Sequence, residues 1–381
     1  MPEEVKIEFD PKNMPFRRLG SSGLRVPVFS LGGWLTLGAT VFGDPVKDII
    51  KTAFENGINM FDTAEAYAQG QSEVEMGRVI KELGFRRSDL IITTKLFWGV
   101  RPGPNASGLS RKHIIEGTKE SLQRMQLDYV DVIFAHRPDA TVPMEETVRA
   151  FNFVINQGWA FYWATSEWSA QEIEEAHHVA TKLGLSGPIA EQCEHNLFHR
   201  ERPESEYALL YRKHGLGTTV FSALAQGLLT GKVDGHFKFS DENGSLTTGV
   251  MYPQYNDGIP AGSRLDVKYQ AWLQRVADGL TSEEGQAKIN KIKALSTFAE
   301  EELGCKVSHL ALAWVAQNPN TSTVILGASK PEQVVDNLKA LEIIPKLTPE
   351  VLKKIDDIVG TKPPGVPNYG RPELDSYGRP Y

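Results

Sequence analysis

Two cysteines, Cys193 and Cys305, are too few for a disulfide framework, and their spacing fits no metal site. No apolar run reaches the roughly 18 residues that a membrane-spanning helix needs. The opening stretch MPEEVKIEFD is charged and lacks the apolar segment of a secretory signal. Basic residues are not in excess: 41 Lys and Arg stand against 48 Asp and Glu, the reverse of a general nucleic-acid binder. A G-x-G-x-x-G turn after a strand is also missing, which counts against a doubly wound dinucleotide-binding sheet. The expectation is a cytoplasmic chain with no nucleic-acid partner, no metal and no direct insertion into a membrane.

What is present is an alternation. Short apolar runs, VFSLGG, NMFDT, DLIITTK, VDVIFAH, AFYWATS, IAEQCEH, TTVFSAL and TVILGAS, are separated by amphipathic stretches such as RKHIIEGTKESLQRM. Most of these stretches stop at a glycine: Gly57, Gly84, Gly158, Gly184 and Gly215. Strand–helix alternation implies a parallel sheet. Eight such units over roughly 300 residues fit a closed (β/α)8 TIM barrel better than an open sheet.

FRRLGSSGLRVPV reads as a β-hairpin ahead of the barrel. Extra helices are expected around 283–317 and 348–360, and a long loop at 233–264 follows the seventh barrel strand, the kind of insertion that is usually functional or mobile. Residues 1–14 read as an extension and 15–360 as the barrel. Residues 361–381 read as a flexible tail rich in Pro, Gly and Tyr, with Tyr-Gly-Arg-Pro repeated.

Active sites of such barrels lie at the C-terminal ends of the strands. The polar residues closing the successive runs are Asp62, Lys95, His136, Ser166, Gln192, Ser222, and finally Gly327 with Ser329. Singly, Asp62 reads as a cap, Lys95 as a solvated residue and His136 as a satisfied core group. Together on consecutive strand ends, with Tyr67 in the following loop, they fit proton donation to a forming alkoxide. A free tyrosine, with a pKa of about 10, donates poorly near neutrality. A nearby ammonium would lower that value, Asp62 would hold Lys95, and His136 would orient a carbonyl. Protonating a carbonyl oxygen completes a reduction only if carbon receives hydride.

The motifs FDTAEAY, ITTKLFWG and FAHRPD resemble the catalytic tetrad of the aldo-keto reductases: Asp62, Tyr67, Lys95 and His136. The resemblance spans about residues 15–360 and is nearest to the potassium-channel β-subunit branch, which shares segments similar to GLSRKHIIEG, PMEETVRA, VINQG and LGAS. It implies NADPH or NADP+ as cofactor, a small-molecule carbonyl substrate, slow reduction of aldehydes and ketones, and a homotetramer. It leaves open a redox-sensing channel subunit with little turnover. A barrel lyase or isomerase without nucleotide is a third reading.

Position by position, the resemblance implies Gly33 and Trp34 near the nicotinamide, Asp62 at its edge, and Ser166 and Gln192 on the carboxamide. Phe221 would stack on the ring, and Ser222, Leu224, Gln226 and Lys232 would line the pyrophosphate path. Arg264, Gly327, Ser329, Lys330, Gln333 and Asn337 would surround the adenosine and its 2′-phosphate. Lys330 and Ser329 also open a helix, whose N–H groups and dipole favour an anion. Phe97 and Trp98, with Trp34 and Trp168, are candidates for the substrate wall; loop packing is the competing explanation. The channel branch carries Asn where this chain has His136, Arg where it has Glu167, and Trp where it has Phe221. An acid at 167 beside a pyrophosphate is unfavourable, so Glu167 is expected to turn away or to meet a base. The 233–264 loop is expected to act as a clasp controlling cofactor release.

Overall fold

The hairpin that precedes the barrel is built into its floor. In the computed structural model, which describes residues 5–231, 238–240, 246–248 and 282–365, β1 (Phe16–Arg18) pairs antiparallel with β2 (Arg25–Pro27). Leu19 and Val26 are fully buried in one cluster with Met60, Ile91, Val132, Phe134, Ala164 and Ala190, inward-facing residues of the barrel strands. Arg17 Nη1 donates to the carbonyls of Asn318 and Thr321 at 3.0 and 2.7 Å, and Gly20 N–H donates to Ser322 Oγ at 3.3 Å. All three acceptors lie at the entrance to the last barrel strand, so the hairpin closes the N-terminal end.

The barrel strands are β3 (Phe29–Gly32), β4 (Met60–Asp62), β5 (Ile91–Leu96), β6 (Val130–Ala135), β7 (Ala160–Ser166), β8 (Ala190–Glu194), β9 (Gly217–Phe221) and β12 (Thr321–Leu326). They run parallel and close in the order β12-β3-β4-β5-β6-β7-β8-β9. Each of the eight expected runs supplies one of them. β10 (Lys238–Ser240) and β11 (Leu246–Thr248) pair antiparallel within the long insertion; the rest of 232–281, and residues 366–381 of the tail, lie outside the described residues.

Helices connect and cover the strands: α1 (Asp44–Glu55), α2 (Gln71–Leu83), α3 (Arg111–Met125), α4 (Met144–Asn156), α5 (Ala170–Leu183), α6 (Ala208–His214), α7 (Glu283–Leu303), α8 (Val307–Gln317), α9 (Pro331–Leu338) and α10 (Pro349–Val359). Their ends follow local chemistry. Ser169 and Glu172 form a reciprocal capping box on α5, and Gly84, Gly184, Gly215 and Gly360 end helices in the left-handed conformation that glycine tolerates. Among the described residues no helix is long and apolar enough to cross a membrane.

The two-residue period of a strand sorts its side chains by height as well as by face. Looking inward, Met60 is followed by Asp62, Ile91 by Thr93 and Lys95, Val132 and Phe134 by His136, Ala164 by Ser166, and Ala190 by Gln192. The lower layers are apolar and sealed by the hairpin, while the upper layer is polar. Among the described residues, the polar groups therefore lie at the C-terminal mouth, away from the end that the hairpin closes.

Helix packing around the barrel is close enough to be tested at one residue. Gly77 lets α2 meet the end of α3, where an added Cβ would fall 2.0 Å from the Met125 carbonyl oxygen. Gly77→Ala should destabilise by about 3 kcal/mol through overpacking. Gly23→Ala, with nothing within 4 Å of the new carbon, should change stability by no more than about 0.5 kcal/mol. Equal chemical-denaturation midpoints for the two variants would refute the close contact.

Candidate active site

Lys95 is fully buried, and its charge is answered on the neighbouring strand. Its Nζ lies 2.5 Å from Asp62 Oδ2 and donates to the Thr63 carbonyl at 2.7 Å. Asp62 Oδ1 accepts from Thr93 Oγ1 at 2.6 Å and from Gln192 Nε2 at 3.3 Å. Parallel pairing sets Asp62 opposite Thr93, two residues before Lys95, which brings acid and base into contact. Burial alone would favour a neutral amine, but the Asp62 carboxylate holds the Lys95 ammonium above its ordinary pKa.

Tyr67 follows in a short turn whose next two residues, Ala68 and Gln69, adopt left-handed backbone at φ 50° and 55°. The half-buried phenol ring has Lys95 Nζ 4.7 Å from its centroid and packs edge-on to His136 with centroids 5.7 Å apart. Here the electrostatics correct the sequence reading. Burial pushes the phenol above its ordinary pKa; Lys95 opposes this, and Asp62 adds to it. The lysine acts in the expected direction, but desolvation is larger because the site is sealed from below. His136 moves the other way: burial, Lys95 and Arg137 push its imidazole well below the usual histidine range, so it is neutral around pH 7. Its Nδ1 is buried without a partner among the described residues.

Around this centre, Ser166 Oγ donates to the Gln192 carbonyl at 3.0 Å. Gly33 N–H donates to the Asp62 carbonyl at 2.8 Å, and a side chain at Gly33 would strike Ser72 Oγ at 2.4 Å. Trp34 is 47% exposed. At the end of β9 and just beyond it, Phe221 and Leu224 are half-buried, and Ser222, Ala225 and Gln226 all adopt positive φ, at 57°, 47° and 58°. Three such non-glycine residues in one turn store strain that the surroundings must enforce; one enforcing contact is Asn196 Nδ2, which donates to the Ser222 carbonyl at 3.1 Å. At the end of β12, Gly327 is exposed with open space where a Cβ would stand. Ser329 donates to Gln333 Oε1 through N–H at 2.7 Å and through Oγ at 3.2 Å, at the start of α9. Lys330 caps that helix and is exposed, and Asn337 is half-buried further along it. Lys232 and Arg264 lie outside the described residues.

The structure therefore gathers Asp62, Tyr67, Lys95, His136, Ser166 and Gln192 at one mouth. Phe97 and Trp98 stand on the loop after β5, in edge contact at 4.9 Å, with Trp98 54% exposed. Trp168 does not join them. It is 1% exposed, and its carbonyl accepts from the buried Tyr207 hydroxyl at 2.5 Å, so it packs in the core and cannot line an open pocket. Glu167 meets a base as expected: its Oε2 lies 2.8 Å from Arg202 Nη1, while Oε1 accepts from Glu194 N–H.

One supporting residue escaped the sequence reading. Glu65, buried between Asp62 and Tyr67 in the chain, accepts on one oxygen from Phe97 N–H, Gly99 N–H and His113 Nε2 at 2.8, 2.9 and 3.0 Å. It ties the Phe97–Trp98 loop to the floor of the mouth. The only signal was an acid inside FDTAEAY; its partners are too distant in the chain to be inferred.

Comparison with known proteins agrees with this geometry. Residues 29–359 match the model of the aldo/keto reductase family. A Schizosaccharomyces pombe protein is 51% identical over 93% of this chain and 96% of its own length. Proteins of Arabidopsis thaliana and Oryza sativa subsp. japonica are 46% and 47% identical, over 92% and 93% of this chain and 98% and 100% of their own. All three are named, provisionally, as voltage-gated potassium channel β subunits.

Breaking the buried pair tests its energetic role. Asp62→Ala should cost about 3–5 kcal/mol by leaving Lys95 charged and unpaired. Adding Lys95→Met should recover part of that loss. A double variant less stable than Asp62→Ala in urea denaturation would show that the two side chains do not act as a pair.

Proposed function

The chain belongs to the aldo/keto reductase family, an oxidoreductase family, and on that premise we propose that it reduces an aldehyde or ketone with NADPH, Tyr67 donating the proton. The observation that carries this reading is the Asp62–Lys95 pair beside Tyr67, with a neutral His136 against the phenol ring. A bound nicotinamide supplies hydride to the carbonyl carbon. The residues present fit such a cofactor: the strained turn at Ser222–Gln226 and the open Gly327 offer backbone to a long anionic ligand, and Ser329 and Lys330 stand at a helix start.

In the proposed reaction His136 offers a neutral imidazole to the carbonyl oxygen and orients it. The raised pKa of Tyr67 keeps the phenol protonated at neutral pH. As negative charge develops on the oxygen, Tyr67 releases its proton, and the Lys95 ammonium stabilises the phenolate that remains. Asp62 keeps Lys95 charged and in place. Gly33, Trp34, Ser166, Gln192 and Phe221 would hold the nicotinamide end. Ser222, Leu224, Gln226 and Lys232 would hold the pyrophosphate, and Arg264, Gln333 and Asn337, with the residues at the α9 start, the adenosine and its 2′-phosphate. Phe97, Trp98 and Trp34 would form the substrate wall. The same reading has a cytoplasmic protein assembled as a homotetramer.

The relatives' names favour a second reading, a redox-sensing subunit of a potassium channel that binds NADP(H) with little turnover. His136, where the channel branch carries Asn, favours catalysis. A protein that co-purifies with a channel, binds NADPH and reduces no aldehyde would establish the second reading.

Tyr67→Phe should abolish reduction of an aromatic aldehyde while NADPH affinity, read by quenching of protein fluorescence, changes by less than about threefold. Wild-type kcat in that variant would remove Tyr67 as the acid. NADPH should bind at least about tenfold more tightly than NADH if a cationic helix start holds the 2′-phosphate; equal affinities would refute that assignment. Because the His136 pKa is depressed, activity should be flat through pH 6.5 and fall only in more acidic solution. An inflection near 6.5 that His136→Asn abolishes would contradict a neutral, buried imidazole.

A further inference from the structure

One charged side chain at the mouth, Arg137, meets no counter-ion among the described residues. Arg137 follows His136 at the C-terminal end of β6 and is half-buried. Its Nη1 donates to the His136 carbonyl and, at 3.3 Å, to Ser166 Oγ. A guanidinium carries five donors in a planar fork, and no described residue accepts from Arg137 Nε or Nη2. No described carboxylate pairs with it. Five other half-buried or buried arginines, Arg78, Arg87, Arg124, Arg200 and Arg202, each meet a carboxylate at 2.6–2.8 Å, and Arg17 is held by two main-chain carbonyls of the barrel floor.

Position makes this cation relevant to substrate. It neighbours the His136 carbonyl and Ser166 Oγ, and its charge adds to the lowering of the His136 pKa, after burial and Lys95, while weakly opposing the rise at Tyr67. Lys95 is already neutralised by Asp62, so Arg137 is the cation beside His136 that no described carboxylate neutralises. A half-buried guanidinium with unused donors matches a carboxylate in charge and in bidentate shape. Resting on the carbonyl-reductase reading, we propose that Arg137 is a specificity-determining residue that binds a carboxylate carried by the substrate, so that oxo acids and carboxylated aldehydes are the favoured class.

The test compares kcat/KM for 3- and 4-carboxybenzaldehyde with that for the corresponding carbamoylbenzaldehydes, which share the shape without the charge. The wild-type protein should prefer at least one acid over its amide. Arg137→Met should reduce that preference about tenfold or more, as expected when one partner of a desolvated charge pair is removed. Arg137→Lys should restore part of it, keeping the charge and losing the fork. If Arg137 merely braced β6 against β7, the methionine variant would slow acid and amide alike, leaving their ratio unchanged. No acid preference in the wild type, or a preference that survives Arg137→Met, overturns the proposal.

Calorimetric binding of 4-carboxybenzyl alcohol and 4-carbamoylbenzyl alcohol, with and without NADP+, separates this inference from the reading beneath it. A protein that reduces neither aldehyde defeats the carbonyl-reductase reading, and the calorimetry still decides Arg137. Tighter binding of the acid, lost in Arg137→Met, upholds the carboxylate site; equal binding of acid and amide overturns it.

Discussion

The buried ion pair between Lys95 and Asp62 is the constraint on which the mouth depends. Two charges withdrawn from water are stabilising only if their geometry is close and their remaining valences are filled. Here β5 supplies the ammonium and Thr93, β4 the carboxylate, the segment after β4 the Thr63 carbonyl, and β8 the Gln192 amide. A one-residue slip between β4 and β5 would turn Asp62 or Lys95 out toward the helices. The pair therefore needs the closed barrel and in turn penalises alternative registers.

The apolar floor explains why the pair can exist and why the phenol beside it behaves as it does. Leu19 and Val26 of the hairpin complete a layer that excludes water from below. In that environment the pair has almost no net charge, so Lys95 cannot outweigh the desolvation of Tyr67, and the phenol stays protonated. The neutral His136 follows from the same source, since a second cation beside Lys95 would have no compensating acid. The lysine's attraction for a phenolate remains available when charge develops at the mouth, which is where an interaction must act to lower a barrier.

Much of this was legible in the chain, because the strand period and the strand ends are local signals. VDVIFAH places Val132, Phe134 and His136 on one face by parity alone, and DLIITTK does the same for Ile91, Thr93 and Lys95. Features set by distant partners were not legible. Glu65 acquires its role from Phe97, Gly99 and His113, and Trp168 is buried in the core, where its carbonyl accepts from the distant Tyr207 hydroxyl. The sign of the Tyr67 shift depends on the balance between burial and Lys95, which residue types alone do not give. Glu167 was legible only as a conflict, an acid where a base was expected, and Arg202 resolves it within the structure.

The residues that close β6 lie above the structural layers of the barrel. His136 and Arg137 are consecutive at the end of β6, past the plug residues Val132 and Phe134 and outside the Asp62–Lys95 pair. Neither belongs to the apolar floor or to the ion pair. On the proposed reading, chemistry and specificity rest on two neighbouring side chains above the buried charge pair. Whether the mouth turns over a carbonyl or only holds a nucleotide is a property of its upper layer.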